Sequence, residues 1–184
     1  MPLAVRIILI ANLVLLARLA ILAAVVSPRL LPHLGPVLGI ALAAGLITTF
    51  LQKSGTSRPE LPPPETANPM ELGTALSFGL AFAVVLFLAA WLTDQAGNRV
   101  LYIVALGAGI TDVDAITLSA LRLFELGNVS PSTAIITIVI ALLANQTTKL
   151  AMIMALGGVP MFRQCAVPMA TTGITAAIVC AFLP

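Results

Sequence analysis

Long apolar runs constrain this chain more than any other feature. An α-helix needs about 20 apolar residues to cross the hydrocarbon core of a bilayer, and the sequence holds about six such runs. They lie at about 3–26, 34–52, 71–92, 100–125, 131–157 and 162–183. Polar and apolar residues do not alternate within them, as they would in the strands of a transmembrane barrel. The pattern predicts an all-α, polytopic transmembrane helical bundle of about six spans.

The composition agrees with a lipid bilayer as the chain's main partner. Hydrophobic residues make up 60% of the 184 residues and charged residues 9%, whereas a soluble domain has about 45–50% and 25%. The net charge of +2 and the lack of a basic cluster argue against a nucleic-acid partner. No phosphate loop, nucleophile elbow or HExxH motif is present, so we expect no enzyme. One histidine and two cysteines fifteen positions apart indicate neither zinc nor heme.

We interpret residues 1–184 as a single transmembrane domain. Its one sizeable polar segment is 53–69 (KSGTSRPELPPPETANP), which reads as a Pro-rich, solvated loop. Basic residues divide four against three between the two sides of the membrane, so the sequence leaves the orientation open.

The fourth run contains two carboxylates, Asp112 and Asp114, where the surrounding sequence is membrane-spanning. Each Asp near a helix centre costs about 2.5–3.5 kcal/mol on insertion scales, and each aliphatic residue returns roughly 0.3–0.6 kcal/mol. The aliphatic residues of this run do not offset that cost if the two acids face lipid. Both acids must therefore face protein, water or a cation, which makes them the leading candidates for a functional site.

The residues before the acids allow two local structures. Gly107 and Gly109 weaken a helix, and Thr111 stands three residues before Asp114 as in a capping box. The fourth span could therefore be broken between Gly107 and Thr111, with one half ending near Gly109 and the next beginning at Thr111. Transporters place substrate sites at such breaks. In the alternative, continuous helix, Asp112 would share a face with Ser119, and Asp114 would share one with Thr111 and Thr117.

The fifth span offers polar partners for the acids. Asn145 and Lys149 are four residues apart and share a helix face, and Thr148 lies in an adjacent stripe of small and polar residues. We expect Lys149 to pair with Asp112 or Asp114; the alternative is that its side chain reaches the membrane interface. In the first span, Arg18 is deep enough to need an acid, for which Asp94 and Glu125 are the candidates.

Three segments resemble a known family: Gly-Ile-Thr-Asp-Val-Asp-Ala-Ile-Thr-Leu-Ser (109–119), Ala-Asn-Gln-Thr-Thr-Lys (144–149) and Leu-Gly-Gly (156–158). This is the bacterial membrane domain of unknown function DUF4010, which is often fused behind MgtC/SapB-type domains. The resemblance implies a multi-pass protein of the bacterial inner membrane. Its association with MgtC-type proteins implies magnesium or other cation physiology.

Members of the family usually carry further spans upstream. Two weak internal parallels, 3–9 with 147–152 and 39–44 with 173–177, suggest a domain of two related halves with the first incomplete. We hypothesise that a second copy of the chain, in a homo-oligomer, or a separate subunit supplies the missing half.

The favoured function is a transporter or channel-like protein for a small cation, Mg²⁺ or H⁺-coupled. No cofactor is expected beyond a bound cation such as Mg²⁺. Asp112 and Asp114 would bind the metal or proton, and Lys149 would hold the empty site neutral. The alternative is a non-transporting membrane module that binds or regulates another membrane complex, with the same residues as structural contacts. The full set of predicted pathway residues is Asp112, Asp114, Thr111, Thr117, Asn145, Thr148 and Lys149.

Overall fold

The chain folds into helices throughout the part that the structure describes. A computed structural model describes residues 3–52, 80, 83–84 and 98–182. Five helices are α1 (Leu3–Val26), α2 (Leu31–Leu51), α3 (Asn98–Thr111), α4 (Val113–Glu125) and α5 (Pro131–Phe182). The all-α prediction is confirmed for these residues.

Three of these helices are long and apolar enough to cross a membrane: α1, α2 and α5. The first two match the first two predicted spans. The 52-residue α5 covers the predicted fifth and sixth spans, and α3 with α4 cover the fourth. The third predicted span, 71–92, and the polar loop, 53–69, lie outside the described residues apart from 80, 83 and 84. The total of about six spans therefore stays a prediction.

A sharp kink at Gly158 turns α5 back on itself. Gly158 has φ 71° and ψ 178°, a conformation that is essentially restricted to glycine. A Cβ on Gly173 would lie 2.6 Å from Oε1 of Gln146, although a straight helix would hold these two residues about 40 Å apart. The two arms of α5, before and after Gly158, therefore pack side by side.

Helix α5 organises the bundle, because it contacts each of the other four helices. One close contact is at Gly45 of α2, where a Cβ would lie 2.7 Å from Oγ1 of Thr172 in the second arm of α5 and 2.7 Å from Cδ2 of Leu13 in α1. The second arm also meets α2 through the hydroxyls of Thr48 and Thr171, 3.1 Å apart. Such close approach between small residues is typical of helices packed in membranes.

The surface of the bundle is rich in large aliphatic side chains. On α1, the outward-facing aliphatics include Ile7, Ile10, Val14, Ile21 and Val25, each more than half exposed. An exposed apolar stripe of this extent is typical of a surface that contacts lipid or another protein. The packing therefore agrees with the membrane location that the sequence predicts.

Candidate functional site

The fourth predicted span is broken at Asp112. Helix α3 ends at Thr111 and α4 begins at Val113, and Asp112 between them is extended, with φ −151° and ψ 130°. The two halves have fourteen and thirteen residues, so the break lies near the middle of the span. A break in this span is confirmed and the continuous helix is excluded, but the break lies at Asp112 and not between Gly107 and Thr111, which remain within α3.

The cap of the second half-helix is Asp112, and our expectation that Thr111 would begin that helix was wrong. Oδ1 of Asp112 accepts a hydrogen bond from the backbone N–H of Asp114 at 3.1 Å. Thr111 instead stays in α3, and its hydroxyl donates to the carbonyl of Ala108 at 2.9 Å. A carboxylate is favoured at this position because its charge also complements the positive end of the helix dipole.

Asn145 of α5 donates a hydrogen bond to a backbone carbonyl that the break leaves without its helical donor. In an unbroken helix the carbonyl of Gly109 would accept from the N–H of Val113, but the extended backbone at Asp112 removes that donor. The side-chain Nδ2 of Asn145 replaces it, donating to the Gly109 carbonyl at 3.2 Å. The contact needs a glycine, since a Cβ on Gly109 would lie 2.5 Å from the carbonyl oxygen of Ala141. The predicted functional residue Asn145 is therefore next to the break.

Asp114 forms an ion pair with Arg18 of α1. The carboxylate side chain is only 3% exposed, whereas the Arg18 side chain is 57% exposed. The predicted Arg18–Glu125 pair was wrong: Glu125 instead accepts a hydrogen bond from the Ser27 hydroxyl at 2.6 Å. Helices α1 and α4 run in the same direction, which places Arg18 level with Asp114 and leaves Glu125 at the far end. The other candidate, Asp94, lies outside the described residues.

Lys149 lies on the first arm of α5, one helical turn beyond Asn145, and does not contact Asp112. It makes no ion pair within 4 Å with any described carboxylate. The expected ion pair of Lys149 with Asp112 or Asp114 was wrong: the ion pair of Asp114 is with Arg18. Lys149 also lines an open groove between α1 and α5, together with Asn12.

We use the name polar centre for six polar side chains that contact the break or its ion pair or that line the groove between α1 and α5: Asn12, Arg18, Asp112, Asp114, Asn145 and Lys149. The sequence missed Asn12 as a member, and it assigned Arg18 the wrong partner. A signal for Asn12 was present, since an amide in the middle of an apolar first span also needs a partner.

Several buried oxygens near the break lack a hydrogen-bond partner among the described residues. Such atoms are rare in folded proteins and call for a ligand, water or ion. They are Asn12 Oδ1, Asp112 Oδ2, Asp114 Oδ1, Thr117 Oγ1 and Asn145 Oδ1. The remaining predicted residue, Thr148, donates to the carbonyl of Ala144 within its own helix at 2.9 Å.

The carboxylates alone do not form a metal cage. Among the described residues, no group of three or more His, Cys, Asp or Glu side chains is close enough to hold a metal ion. A cation at the break would therefore use one or two carboxylates with amide, hydroxyl or water oxygens, a donor set that Mg²⁺ commonly accepts.

The family model described as "Domain of unknown function (DUF4010)" matches residues 1–157. The chain belongs to this family. Every member of the polar centre lies within the part that matches DUF4010.

A relative from Aquifex aeolicus (strain VF5), described as an uncharacterized protein, is 32% identical over 82 residues. That match covers 45% of this chain and 36% of the relative, so the similarity spans about a third of that protein's length. No solved structure matches the chain.

Proposed function

We propose that this DUF4010 protein is a transporter or channel-like protein for a small cation, Mg²⁺ or H⁺-coupled, in the bacterial inner membrane. The observation that supports it best is the helix break at Asp112, in the middle of a span. Discontinuous helices carry the substrate and ion sites of many transporters, because their ends offer backbone groups and dipoles within the membrane.

The charges of the polar centre also favour this proposal. The polar centre combines two acidic side chains, Asp112 and Asp114, with two basic ones, Arg18 and Lys149, and Arg18 pairs with Asp114. Oδ2 of Asp112 and Oδ1 of Asp114 have no described partner. A cation or proton would bind at these oxygens, and Asp112 is the better candidate because no basic side chain among the described residues forms an ion pair with it.

The exposure of Arg18 supports a further part of the proposal. A guanidinium that is 57% exposed at the level of the helix break would be costly against lipid. We propose that another chain, a second copy or a separate subunit such as an MgtC/SapB-type protein, covers this face of α1.

Flux measurements on reconstituted vesicles test the transport proposal. The purified chain is inserted into liposomes that contain a pH-sensitive or a Mg²⁺-sensitive dye, and Asp112→Asn and Asp114→Asn are compared with wild type. We expect the flux of each variant to fall at least about ten-fold, because the loss of a charged ligand that contributes about 1.4 kcal/mol or more to cation binding corresponds to a factor of ten. Asp112→Asn retains a side-chain oxygen that can still cap Asp114.

Glu125→Gln is the matched control, because Glu125 lies at the end of α4 and its bond from Ser27 can be kept by an amide oxygen. It should leave flux unchanged. Wild-type flux in both acidic variants, with normal insertion, would exclude a transport role for these carboxylates.

The second candidate function is a non-transporting module that binds another membrane complex. The Arg18–Asp114 pair and the Asn145–Gly109 bond favour it, because both also serve simply to hold helices together. This candidate predicts that Asp112→Asn and Asp114→Asn lower the melting temperature and that the wild-type protein carries no cation flux.

A further inference from the structure

A second groove lies between α1 and α2, on a different face of α1 from the groove that Lys149 lines. Its volume is about 350 Å³. α1 contributes Arg6, Ile10 and Leu13 to its lining, and α2 contributes Leu46 and Phe50 among others. These residues recur at intervals of three or four along each helix, so each set shares one helix face. The groove therefore follows the length of the two helices.

The two ends of this groove differ in chemistry. Only residues 27–30 connect α1 to α2, and Gly45 of α2 lies against Leu13 of α1, with a Cβ on Gly45 2.7 Å from Cδ2 of Leu13. That contact marks the inner, apolar end. Arg6 precedes Leu13 by seven residues, about 10 Å along a helix. The outer end therefore holds Arg6, together with Gln52, which also lines the groove.

The outer end lies at the level where lipid headgroups are expected. Arg6 is in the first turn of α1, which begins at Leu3 and has 24 residues. Such a helix is about 36 Å long, which exceeds the hydrocarbon core of about 30 Å. Gln52 follows the last residue of α2 with an extended backbone and directly precedes the polar segment 53–69. Both residues therefore lie at the edge of the apolar part of the bundle.

The side chains at the outer end favour a negatively charged ligand. Arg6 is exposed, and a guanidinium has five N–H donors in a planar fork that binds phosphate oxygens two at a time. Gln52 is held in place, because its Nε2 donates to the carbonyl of Gln164 at 2.9 Å. No Asp or Glu is among the described residues that line the groove. The lining therefore favours an anionic group over a neutral or cationic one.

The rest of the groove suits a hydrocarbon chain. Ile10 is 56% exposed and Phe50 is 82% exposed, and the lining continues inward over Leu13 and Leu46. A basic end at the membrane interface, joined to an apolar surface that leads toward the bilayer centre, matches the headgroup and the tail of a phospholipid. Basic pockets between transmembrane helices bind anionic lipid headgroups in this way.

We propose that the groove between α1 and α2 is a binding site for an anionic phospholipid. The lipid phosphate binds the Arg6 guanidinium, and one acyl chain lies along Ile10, Leu13 and Leu46. None of these residues belongs to the polar centre, so the inference goes beyond the proposed transport function. Its test needs no flux measurement, and it can fail or succeed independently of transport.

Lipid titration of the delipidated protein tests the headgroup contact. The protein in a neutral detergent is titrated with phosphatidylglycerol or with phosphatidylcholine, and the melting temperature is followed by circular dichroism, since a ligand that binds the folded state raises it. We expect phosphatidylglycerol to act at a concentration at least about ten-fold lower, because a charge-assisted hydrogen bond usually contributes about that factor or more. Arg6→Gln should remove the difference. Arg29→Gln, in the exposed turn at the opposite end of α1, should keep it.

Ile10→Trp tests the acyl-chain contact. The larger side chain should obstruct the groove and raise the concentration of phosphatidylglycerol needed for stabilisation, and Ile10 is exposed enough for the bundle to fold around the change. Ile21→Trp is the matched control, because Ile21 is 63% exposed on the same helix but does not line the groove. This pair also decides the question if Arg6→Gln proves too unstable to titrate.

Three results would overturn the inference. Equal effects of the two lipids on the wild type, or a preference for phosphatidylglycerol that survives in Arg6→Gln, would show that Arg6 does not recognise the headgroup. Equal stabilisation by inorganic phosphate alone would show a site for free anions and not for a lipid. Equal binding by Ile10→Trp and Ile21→Trp would show that no acyl chain occupies the groove.

Discussion

At the scale of single residues, the ion pair between Arg18 and Asp114 is the main reason that a carboxylate is tolerated inside α4. Asp114 is almost completely buried, and its only charged contact among the described residues comes from α1. Removing one member of a buried pair leaves an uncompensated charge, which costs far more than replacing both members. The pair therefore links the packing of α1 against α4 to the charge state of the polar centre.

A double-mutant cycle tests this link. Arg18→Leu should lower the free energy of unfolding in detergent by about 3–5 kcal/mol, the usual cost of orphaning a buried ion. The double variant Arg18→Leu, Asp114→Leu should recover most of that loss. Arg29→Leu, in the exposed turn after α1, is the control and should be close to neutral. Additive losses in the double variant would mean that the two side chains do not depend on each other.

At the scale of helices, two interruptions determine the architecture. Asp112 separates α3 from α4 in the middle of the predicted fourth span, and Gly158 folds the two arms of α5 together. Each interruption is held by a contact with another segment: Asn145 donates to Gly109, and Gln146 packs against Gly173. Asn145 and Gln146, which are adjacent on the first arm of α5, therefore each contact one of the two interruptions.

The break should depend on Asn145. Asn145→Leu would leave the Gly109 carbonyl without a donor, and we expect a loss of about 1–3 kcal/mol in unfolding free energy. Thermal unfolding followed by circular dichroism measures the change. Asn128→Leu, in the exposed loop after α4, is the matched control. Equal melting temperatures for Asn145→Leu and wild type would show that the bond does not hold the break.

The kink in α5 should depend on glycine at 158. With φ 71° and ψ 178°, a residue with a Cβ is strained there by about 1–3 kcal/mol. Gly158→Ala should therefore destabilise the protein, whereas Gly39→Ala, inside α2 with open space around its Cβ position, should not. Urea or thermal unfolding of both variants in the same detergent gives the comparison, and equal stabilities would contradict a required glycine conformation.

In the molecule as a whole, the described helices form a bundle around α5. The polar centre of this bundle extends to the exposed side of α1 at Arg18. The exposed aliphatics of α1 on either side of Arg18 would suit lipid, but the guanidinium would not. An assembly in which a further chain covers this face resolves the conflict, and it agrees with the internal parallels that suggest two related halves.

The mass of the purified protein tests the assembly. In a mild detergent, we expect a homo-oligomer or a complex with a co-purifying membrane subunit, measured by light scattering or native mass spectrometry. Arg18→Leu should alter that mass if Arg18 lies in the interface, and Arg29→Leu should not. A stable, well-folded monomer that carries cation flux would contradict the proposed assembly.

Properties that depend on residues close together along the chain could be predicted from the amino-acid sequence. Apolar runs predicted α1, α2 and both arms of α5, because length and hydrophobicity decide which segments can span a bilayer. The glycines and the Thr-Asp-Val-Asp residues predicted a broken span, because backbone freedom and side-chain capping also act over only a few residues.

The contacts between residues far apart in the sequence could not be predicted without the three-dimensional packing. Arg18 pairs with Asp114 and not Glu125 because α1 and α4 run in the same direction at a fixed register. Asn145 donates to Gly109, and Asn12 lines the same groove as Lys149, because α5 packs against every other described helix. Helix neighbours and their register depend on packing between segments far apart in sequence, and hydrophobicity alone does not distinguish one packing from another.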